Sequence, residues 1–229
     1  MLNRYFDVPW PMAVKVIVGP RAVYDAVAEP YDQRLGAELD AKPLDRALLT
    51  ALTDLVGPGT VADLGCGPGH ATRFLAARHT DVIGVDLSAR MIAIARTRAP
   101  ELGFVVGSLL QLPVGDRSLA GAAALYSIIH LTAEERTAAL RELARAVRPD
   151  GVVLLAFHID APGFSAGEVN HLMTFFGRDV QLDGHFLDPD GVLAELHAAG
   201  FVLLARLDRR PIPDVEYPSR RCYLLAQRG

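Results

Sequence analysis

Val61-Ala62-Asp63-Leu64-Gly65-Cys66-Gly67-Pro68-Gly69-His70 is the stretch of sequence that decides the fold. Its first four residues are apolar apart from Asp63, and glycine then stands at every second position. An apolar run followed by closely spaced glycines predicts a buried strand that enters a tight turn before a helix. Glycine tolerates positive φ and lets another group approach the backbone closely, so we predict a ligand on this turn. The alternative is a tight turn that binds nothing.

The spacing of these glycines distinguishes two classes of nucleotide-binding fold. The dinucleotide-binding fingerprint G-x-G-x-x-G would place its third glycine at position 70, where this chain has His70. The sequence instead fits an acidic residue, Asp63, followed by G-x-G-x-G. This pattern resembles motif I of the class I S-adenosylmethionine (SAM) dependent methyltransferases. The resemblance extends roughly from Tyr31 to Arg228.

Asp86 provides a second signal. It lies about 20 residues beyond the glycines, at the end of a predicted strand from Asp81 to Leu87. A carboxylate at that end of the second strand of such a fold can accept hydrogen bonds from both hydroxyls of a ribose. The alternative role is the N-cap of the following helix, for which Ser88 competes.

The rest of the chain alternates apolar strands with helical segments and ends in two strands, Phe201 to Leu207 and Arg221 to Gln227. The connection between these last two strands is short and contains Pro211 and Pro213, so we predict an antiparallel hairpin. The predicted fold class is α/β: a doubly wound, seven-stranded, mostly parallel sheet with an antiparallel last strand.

Composition limits the class of protein. The chain has 229 residues, of which 51% are hydrophobic, so one core and one domain over 21–229 are expected, preceded by an extension over 1–20. A formal net charge of -4 gives no electrostatic reason to expect nucleic acid or an anionic membrane as a partner. Two cysteines predict neither a disulfide framework nor a zinc cluster. We therefore expect a soluble cytoplasmic protein, with its oligomeric state left open.

Two segments are predicted to flank the ligand. Residues 21–56 have a helical pattern with breaks at Pro30 and Pro43, and the resemblance implies an N-terminal lid in which Tyr31 closes over the cofactor. The alternative is that Tyr24 and Tyr31 only pack helices together. Residues 160–187 lack a strong period, so we predict a long irregular loop lining an acceptor pocket. The alternative there is a short helix from Ala166 to Phe176.

The resemblance also implies which residues bind the cofactor. Position 108 departs from the family pattern, because a serine stands where an acidic residue usually flanks adenine. A serine hydroxyl accepts a hydrogen bond less strongly than a carboxylate does. The expected cofactor-binding residues are Tyr31, Asp63, Gly65, Cys66, Gly67, Gly69, Asp86, Leu87, Met91, Ser108, Leu109 and Tyr126.

His130 and His158 are the candidate catalytic residues. They follow the predicted strands Ala120–Tyr126 and Val152–Phe157 near the ends that face a ligand in such a sheet. A methyltransferase has to align its acceptor, exclude water and remove a proton from a hydroxyl or ammonium acceptor. An imidazole with a pKa of about 6.5 can take that proton at neutral pH. The alternatives are structural histidines, or a mechanism without a base.

The function implied by the resemblance is methyl transfer from SAM to an O, N or C nucleophile of a small organic molecule, with S-adenosylhomocysteine as product. No cluster of carboxylates predicts a metal, and no feature of the sequence identifies the acceptor. A nicotinamide-dependent oxidoreductase is one alternative, against which His70 and the terminal hairpin count. A SAM-binding module without transfer activity is the other.

Overall fold

A computed structural model describes residues 16–79 and 81–229. Its main feature is a seven-stranded sheet, as the alternation of strands and helices predicts. The strands are β2 (Thr60–Leu64), β3 (Val82–Asp86), β4 (Gly103–Val106), β5 (Leu119–Leu125), β6 (Val147–Asp160), β9 (Phe201–Arg209) and β10 (Arg220–Arg228). Their order is β4-β3-β2-β5-β6-β10-β9, and β10 is antiparallel to both of its neighbours. The predicted fold class is therefore confirmed.

Helices cover both faces of this sheet. They are α1 (Pro20–Leu35), α2 (Pro43–Leu55), α3 (His70–Ala76), α4 (Ala89–Arg98), α5 (Ala133–Ala146) and α6 (Pro189–Ala198). One buried cluster joins α5 and α6 to the sheet through Leu140 and Leu196, and a second joins α2 and α3 through Leu49 and Leu75. Alternate residues of one strand enter different clusters, as Val61 and Ala62 of β2 do. The strand that precedes the glycine turn is thus buried on both faces.

Local signals fix several helix ends. Pro43 lies at the start of α2, as expected, because proline lacks the N–H that the first turn leaves unbonded. Thr132 and Glu135 form the predicted capping box of α5. Pro30 was expected to break the first helix, and that prediction is wrong, since α1 continues through it to Leu35. Among the residues described, no helix is both long and apolar enough to cross a membrane.

A second, smaller sheet lies apart from the main one. It consists of β1 (Ile17–Val18), β7 (Val169–Phe175) and β8 (Arg178–His185), with β1 parallel and β7 antiparallel to β8. Val23 of α1 packs against Val180 and Leu182 of β8 in a separate buried cluster. We call β1, α1, β7 and β8 together the cover unit, because packing and strand pairing join them.

The small sheet corrects the predicted form of 160–187. That segment contains neither a long irregular loop nor a helix from Ala166 to Phe176, but a hairpin. Phe176 and Gly177 form its two-residue turn, with φ of 46° and 73°, and positive φ at both positions is the geometry of tight hairpins. Ile17 and Val18, placed in the predicted extension, are paired with β8, whereas residues 1–15 of that extension lie outside the described residues.

Candidate functional site

A cavity of about 450 Å³ lies at the carboxyl ends of β2, β3, β5 and β6. The cover unit forms its opposite wall through Tyr24 and Tyr31 of α1 and through Leu172 and Phe175 of β7. Thirteen of the fourteen predicted site residues line this single cavity. The exception is Gly69. The topology therefore brings together residues that are spread over most of the chain, and the volume is in the range of a small-molecule site.

The glycine turn has the backbone conformation that its sequence predicts. Gly65, Gly67 and Gly69 have φ of 76°, 53° and 82°, in the left-handed region that favours glycine. A Cβ at Gly65 would overlap the Cβ of Ser127, which follows β5. The absence of a side chain at Gly65 thus lets the turn approach the end of β5 and leaves its backbone open to the cavity.

Gly69 has a different role from the one expected. It is absent from the cavity wall, and it is the N-cap residue of α3. A Cβ there would lie 3.0 Å from the ring of Phe104. Helix geometry and packing against Phe104 therefore explain the third glycine of the motif, and its contact with the cofactor stays a prediction.

Asp86 accepts two backbone hydrogen bonds. Its Oδ2 atom accepts from the N–H of Gly67 at 2.8 Å, and its Oδ1 atom accepts from the N–H of Ser88 at 2.8 Å. Ser88 caps α4 by accepting from the N–H of Met91, so Ser88 and not Asp86 is the N-cap, and the alternative role considered for Asp86 is wrong. A carboxylate has about four acceptor positions, and two remain for a ligand in the cavity. Burial raises the pKa of Asp86.

The remaining residues expected around the cofactor lie on the same side of the cavity. Leu87 is 39% exposed and Met91 is 1% exposed, and both line the wall. The Ser108 hydroxyl accepts from the N–H of Leu110 at 3.1 Å, and Leu109 packs partly against the core. Cys66 is 2% exposed, and its thiol belongs to a core cluster with Phe104.

Asp63 lines the cavity, but its carboxylate is already hydrogen-bonded within the protein. It is 2% exposed, and its Oδ2 atom accepts a hydrogen bond from the Thr72 hydroxyl at 2.6 Å. This contact ties the end of β2 to α3. Burial raises the pKa of Asp63 to about 6.

Two buried polar atoms near the turn lack a protein partner among the described residues. They are Oγ of Ser127 and Nδ1 of His70, and both side chains line the cavity. A buried polar atom without a partner costs free energy. A ligand that hydrogen-bonds to these atoms would remove that cost.

His130 is hydrogen-bonded at both ring nitrogens. Its Nδ1 atom lies 2.7 Å from the carbonyl oxygen of Asp183 in β8, and its Nε2 atom lies 2.8 Å from the Tyr24 hydroxyl. A carbonyl only accepts, so Nδ1 carries the proton and Nε2 accepts from Tyr24. Burial lowers the pKa of His130, which favours this neutral form.

His158 stacks on Tyr126, with 5.0 Å between ring centroids, and its Nδ1 atom lies 2.6 Å from the Ser219 hydroxyl. Burial, with further contributions from Arg221 and Lys42, lowers the pKa of His158 to about 3. Tyr126 itself has φ of 57°, a conformation that costs a tyrosine roughly 1–3 kcal/mol and is concentrated at functional sites.

One part of the cavity wall, which we call the inner end, lies next to Tyr126 and contains charged residues that the sequence did not reveal: Lys42, Asp45, Glu216 and Arg221. Arg209 donates hydrogen bonds to Asp45 at 2.8 Å and to both carboxylate oxygens of Glu216 at 2.6 and 2.8 Å. Lys42 and Arg221 lie beside this group and are 5% and 2% exposed. No short motif links these five residues, which come from two distant stretches of the chain, 42–45 and 209–221. No group of His, Cys, Asp or Glu that could hold a metal occurs among the described residues.

Comparisons with known proteins agree with this geometry. A family model described as a methyltransferase domain matches residues 61–151. Demethylmenaquinone methyltransferase of Beutenbergia cavernae is 31% identical over 198 residues, which cover 78% of this chain and 81% of that protein. Malonyl-acyl-carrier-protein O-methyltransferase of Halorhodospira halophila is 39% identical over 142 residues. That match covers 59% of this chain and 46% of the relative, so the chain spans less than half of its length.

The fold of one solved structure is similar to that of almost the whole chain. The crystal structure of the (4+2)-cyclase SpnF superposes with a TM-score of 0.71 at 20% sequence identity. The superposition covers 94% of this chain and 98% of that one. At this identity the likeness concerns the fold alone.

Proposed function

This chain belongs to the class I SAM-dependent methyltransferases, and from that membership we propose that it methylates a small organic molecule held in the cavity. The nucleophile is an O, N or C atom of that acceptor, and S-adenosylhomocysteine is the second product. Membership of this family decides against the nicotinamide-dependent oxidoreductase. One observation carries the proposal: one continuous cavity connects the glycine turn and Asp86 to His130 and the β7–β8 hairpin.

The residues around the turn fit SAM. Asp86 keeps two acceptor positions free for ribose hydroxyls, and the open backbone at Gly65 and Gly67 leaves room for a ligand against the turn. Oγ of Ser127 and Nδ1 of His70, which have no hydrogen-bond partner among the described residues, can make polar contacts with a ligand beside this turn. When bound, SAM supplies a methyl group that its sulfonium charge already activates.

The cover unit favours a small acceptor over a macromolecule. Leu172 and Phe175 of this unit line the cavity opposite the sheet, together with Phe186, which follows β8. Such walls exclude water from the methyl group and orient an apolar molecule. We propose that the cover unit is the lid, in which Tyr31 lies over the cofactor side and the hairpin over the acceptor side.

His130 is the proposed base, and Tyr24 connects it to the acceptor. Nε2 of His130 is unprotonated and accepts the Tyr24 hydroxyl proton. When a hydroxyl acceptor loses its proton to Oη of Tyr24, the tyrosine proton passes to Nε2. The pair would then consist of a neutral tyrosine and an imidazolium, and the positive charge that the imidazole gains would equal the charge that SAM gives up with its methyl group.

His158 is a poorer base than expected. A pKa of about 3 means that its ring binds protons weakly at neutral pH, whereas a general base works best when its pKa is near the working pH. We therefore propose that His158 contacts the acceptor as a neutral hydrogen-bonding group.

The test is formation of S-adenosylhomocysteine. Purified protein with SAM is incubated with fractions of a metabolite extract, and both the homocysteine product and a mass increase of one methyl group are measured. We expect both signals in the same fraction, and neither with Asp86→Ala. A protein that binds SAM, as calorimetry would show, but never forms either product would be a binding module instead.

A further inference from the structure

Lys42 and Arg221 are two buried cations in the cavity wall that the proposed methyl transfer leaves without a role. Their exposures are 5% and 2%. Both lie near the ring of Tyr126, with the Lys42 Nζ atom 5.5 Å and the Arg221 Cζ atom 5.9 Å from its centroid. Burying a cation is unfavourable unless a counter-charge and hydrogen-bond acceptors surround it. We therefore compare the hydrogen-bond donors of these two side chains with the acceptors that surround them.

Both cations retain unused hydrogen-bond donors. The Lys42 ammonium has three donors, and among the described residues it donates one hydrogen bond, to Glu38 at 2.7 Å. The Arg221 guanidinium has five donors, and it donates to the carbonyls of Ser219 and Tyr217 at 2.7 and 3.1 Å. Its Nε atom is buried and has no partner in the described part of the chain.

The nearby carboxylates are already bonded to other groups. Glu216 accepts two hydrogen bonds from Arg209 and one from the N–H of Ile212 at 2.7 Å. It lies 3.4 Å from Arg221 and 3.9 Å from Lys42, so it only partly compensates their charge. Asp45 accepts from Arg209 and from the hydroxyl of Tyr223 at 3.0 Å. The free donors of Lys42 and Arg221 thus still lack an acceptor.

Lys42 and Arg221 act electrostatically on the neighbouring His158. His158, whose ring lies beside Tyr126, has a lowered pKa because of burial and then because of Arg221 and Lys42, with Glu216 opposing them less. An anion placed beside His158 would be attracted by both cations, whereas an ammonium group would be repelled.

We infer that the inner end of the cavity binds a carboxylate of the acceptor, held by the free donors of Lys42 and Arg221 next to a neutral His158. This inference rests on the proposed function and specifies its substrate class. A monoanion fits better than a phosphate dianion, because Glu38 already pairs with Lys42 and Glu216 lies 3.4 Å from Arg221, so part of the charge of the two cations is already offset. Most of the remaining wall is apolar, and on the acceptor side it includes Leu172, Phe175 and Phe186. The acceptor is accordingly a small apolar molecule with one carboxylate.

Paired probes that differ in charge but not in shape test this inference. Benzoate and benzamide, and the smaller acetate and acetamide, are titrated into the protein with and without S-adenosylhomocysteine. We expect each carboxylate to bind at least about tenfold more tightly than its amide, because a charged acceptor strengthens hydrogen bonds to the cations. In NMR titrations of the histidine rings, the same carboxylates should raise the pKa of His158, whose signals are assigned with His158→Gln.

Variants test whether Lys42 and Arg221 cause the preference for carboxylates. Lys42→Met and Arg221→Gln should each remove most of the preference for the carboxylate, while Arg141→Gln, at an exposed position of α5, should retain it. Amides that bind as tightly as carboxylates, or carboxylates that leave the pKa of His158 unchanged, would overturn the inference. The NMR measurement uses the wild-type protein, so it tests the inferred carboxylate site even if a variant fails to fold. Binding of S-adenosylhomocysteine is measured separately, and its absence would count against the proposed function alone.

Discussion

The Tyr24 hydroxyl lies 2.8 Å from Nε2 of His130, although 106 residues separate the two in sequence. Tyr24 belongs to α1, and the carbonyl that fixes the tautomer of His130 belongs to Asp183 of β8. Both hydrogen-bond partners of the proposed base thus come from the cover unit. The proposed role of His130 as a base therefore requires the cover unit to be in place, because both of its hydrogen-bond partners belong to that unit.

Loss of the base should reduce turnover without affecting cofactor binding. We expect His130→Gln to lower kcat by about 10²–10⁴-fold, the usual contribution of general-base catalysis, with the Kd of SAM unchanged. Tyr24→Phe keeps the ring contacts and should also lower kcat. The matched control is His197→Gln at an exposed position of α6. Unaltered turnover in both His130→Gln and Tyr24→Phe would remove the pair from the mechanism.

The pH dependence of kcat/KM should report the same group. The unprotonated Nε2 atom is the active form, so activity falls as the pH drops through the pKa of His130. Burial lowers this pKa from 6.5, and the acidic limb of the profile should therefore lie below pH 6.5. His130→Gln should abolish this limb. A limb centred above pH 7 would show that another group titrates.

Removal of charge at position 86 should weaken cofactor binding. Hydrogen bonds to a charged group contribute about 1.5–3 kcal/mol each, so we expect Asp86→Asn to raise the Kd of SAM by at least about tenfold. Isothermal titration calorimetry measures this directly. Asp54→Asn, on the exposed face of α2, is the control. Wild-type affinity in Asp86→Asn would contradict the proposed ribose contact.

Gly65 and Gly163 allow two reasons for a glycine to be separated: a positive φ and a lack of space for a Cβ atom. Both have positive φ, 76° and 89°, but a Cβ at Gly65 would overlap Ser127 whereas one at Gly163 meets nothing within 4 Å. Gly163→Ala should lower the free energy of unfolding by roughly 1–3 kcal/mol from backbone strain alone. Gly65→Ala should cost about 1–3 kcal/mol more because of overpacking. Equal losses in urea denaturation would show that the contact with Ser127 is unimportant.

Asp63 should make stability depend on pH. In the unfolded chain its carboxyl loses its proton near pH 3.8, but burial raises the pKa in the folded chain to about 6. The folded state therefore binds more protons between these values, and its stability falls as the pH rises through this window. Asp63→Asn does not titrate and can still accept from Thr72.

The gain in unfolding free energy from Asp63→Asn should therefore be small at pH 4 and reach roughly 3 kcal/mol above pH 6. Urea denaturation at pH 4, 5, 6 and 7 measures it, with Asp54→Asn as the control. A gain that is the same at every pH would show that burial of the charge is not its cause.

The main sheet was predictable from sequence because its signals are local. The apolar runs, the capping box at Thr132 and the position of Pro43 each act within a few residues, and the structure confirms them. The G-x-G-x-G spacing likewise fixed the turn, since positive φ at Gly65 and Gly67 is a property of the backbone there. Gly69 was assigned to the cofactor because spacing does not distinguish contact with a ligand from packing against Phe104.

The β7–β8 hairpin and the inner charged residues were not predictable for physical reasons. Tight hairpin turns are normally indicated by Asn-Gly or Asp-Gly, and here Phe176 occupies the position that usually carries the polar residue. Lys42 and Arg221 come from distant parts of the chain, and each in isolation resembles a surface residue. Only the tertiary fold buries them together beside Tyr126.

The pairing of Ile17 and Val18 with β8 constrains any attempt to redesign specificity. A chimera that exchanged only the β7–β8 hairpin for that of a homologue would leave these two residues opposite a foreign edge, and Val23 opposite foreign side chains. A chimera that keeps these contacts therefore has to exchange β1, α1 and the β7–β8 hairpin together, although they are encoded by two separate parts of the gene.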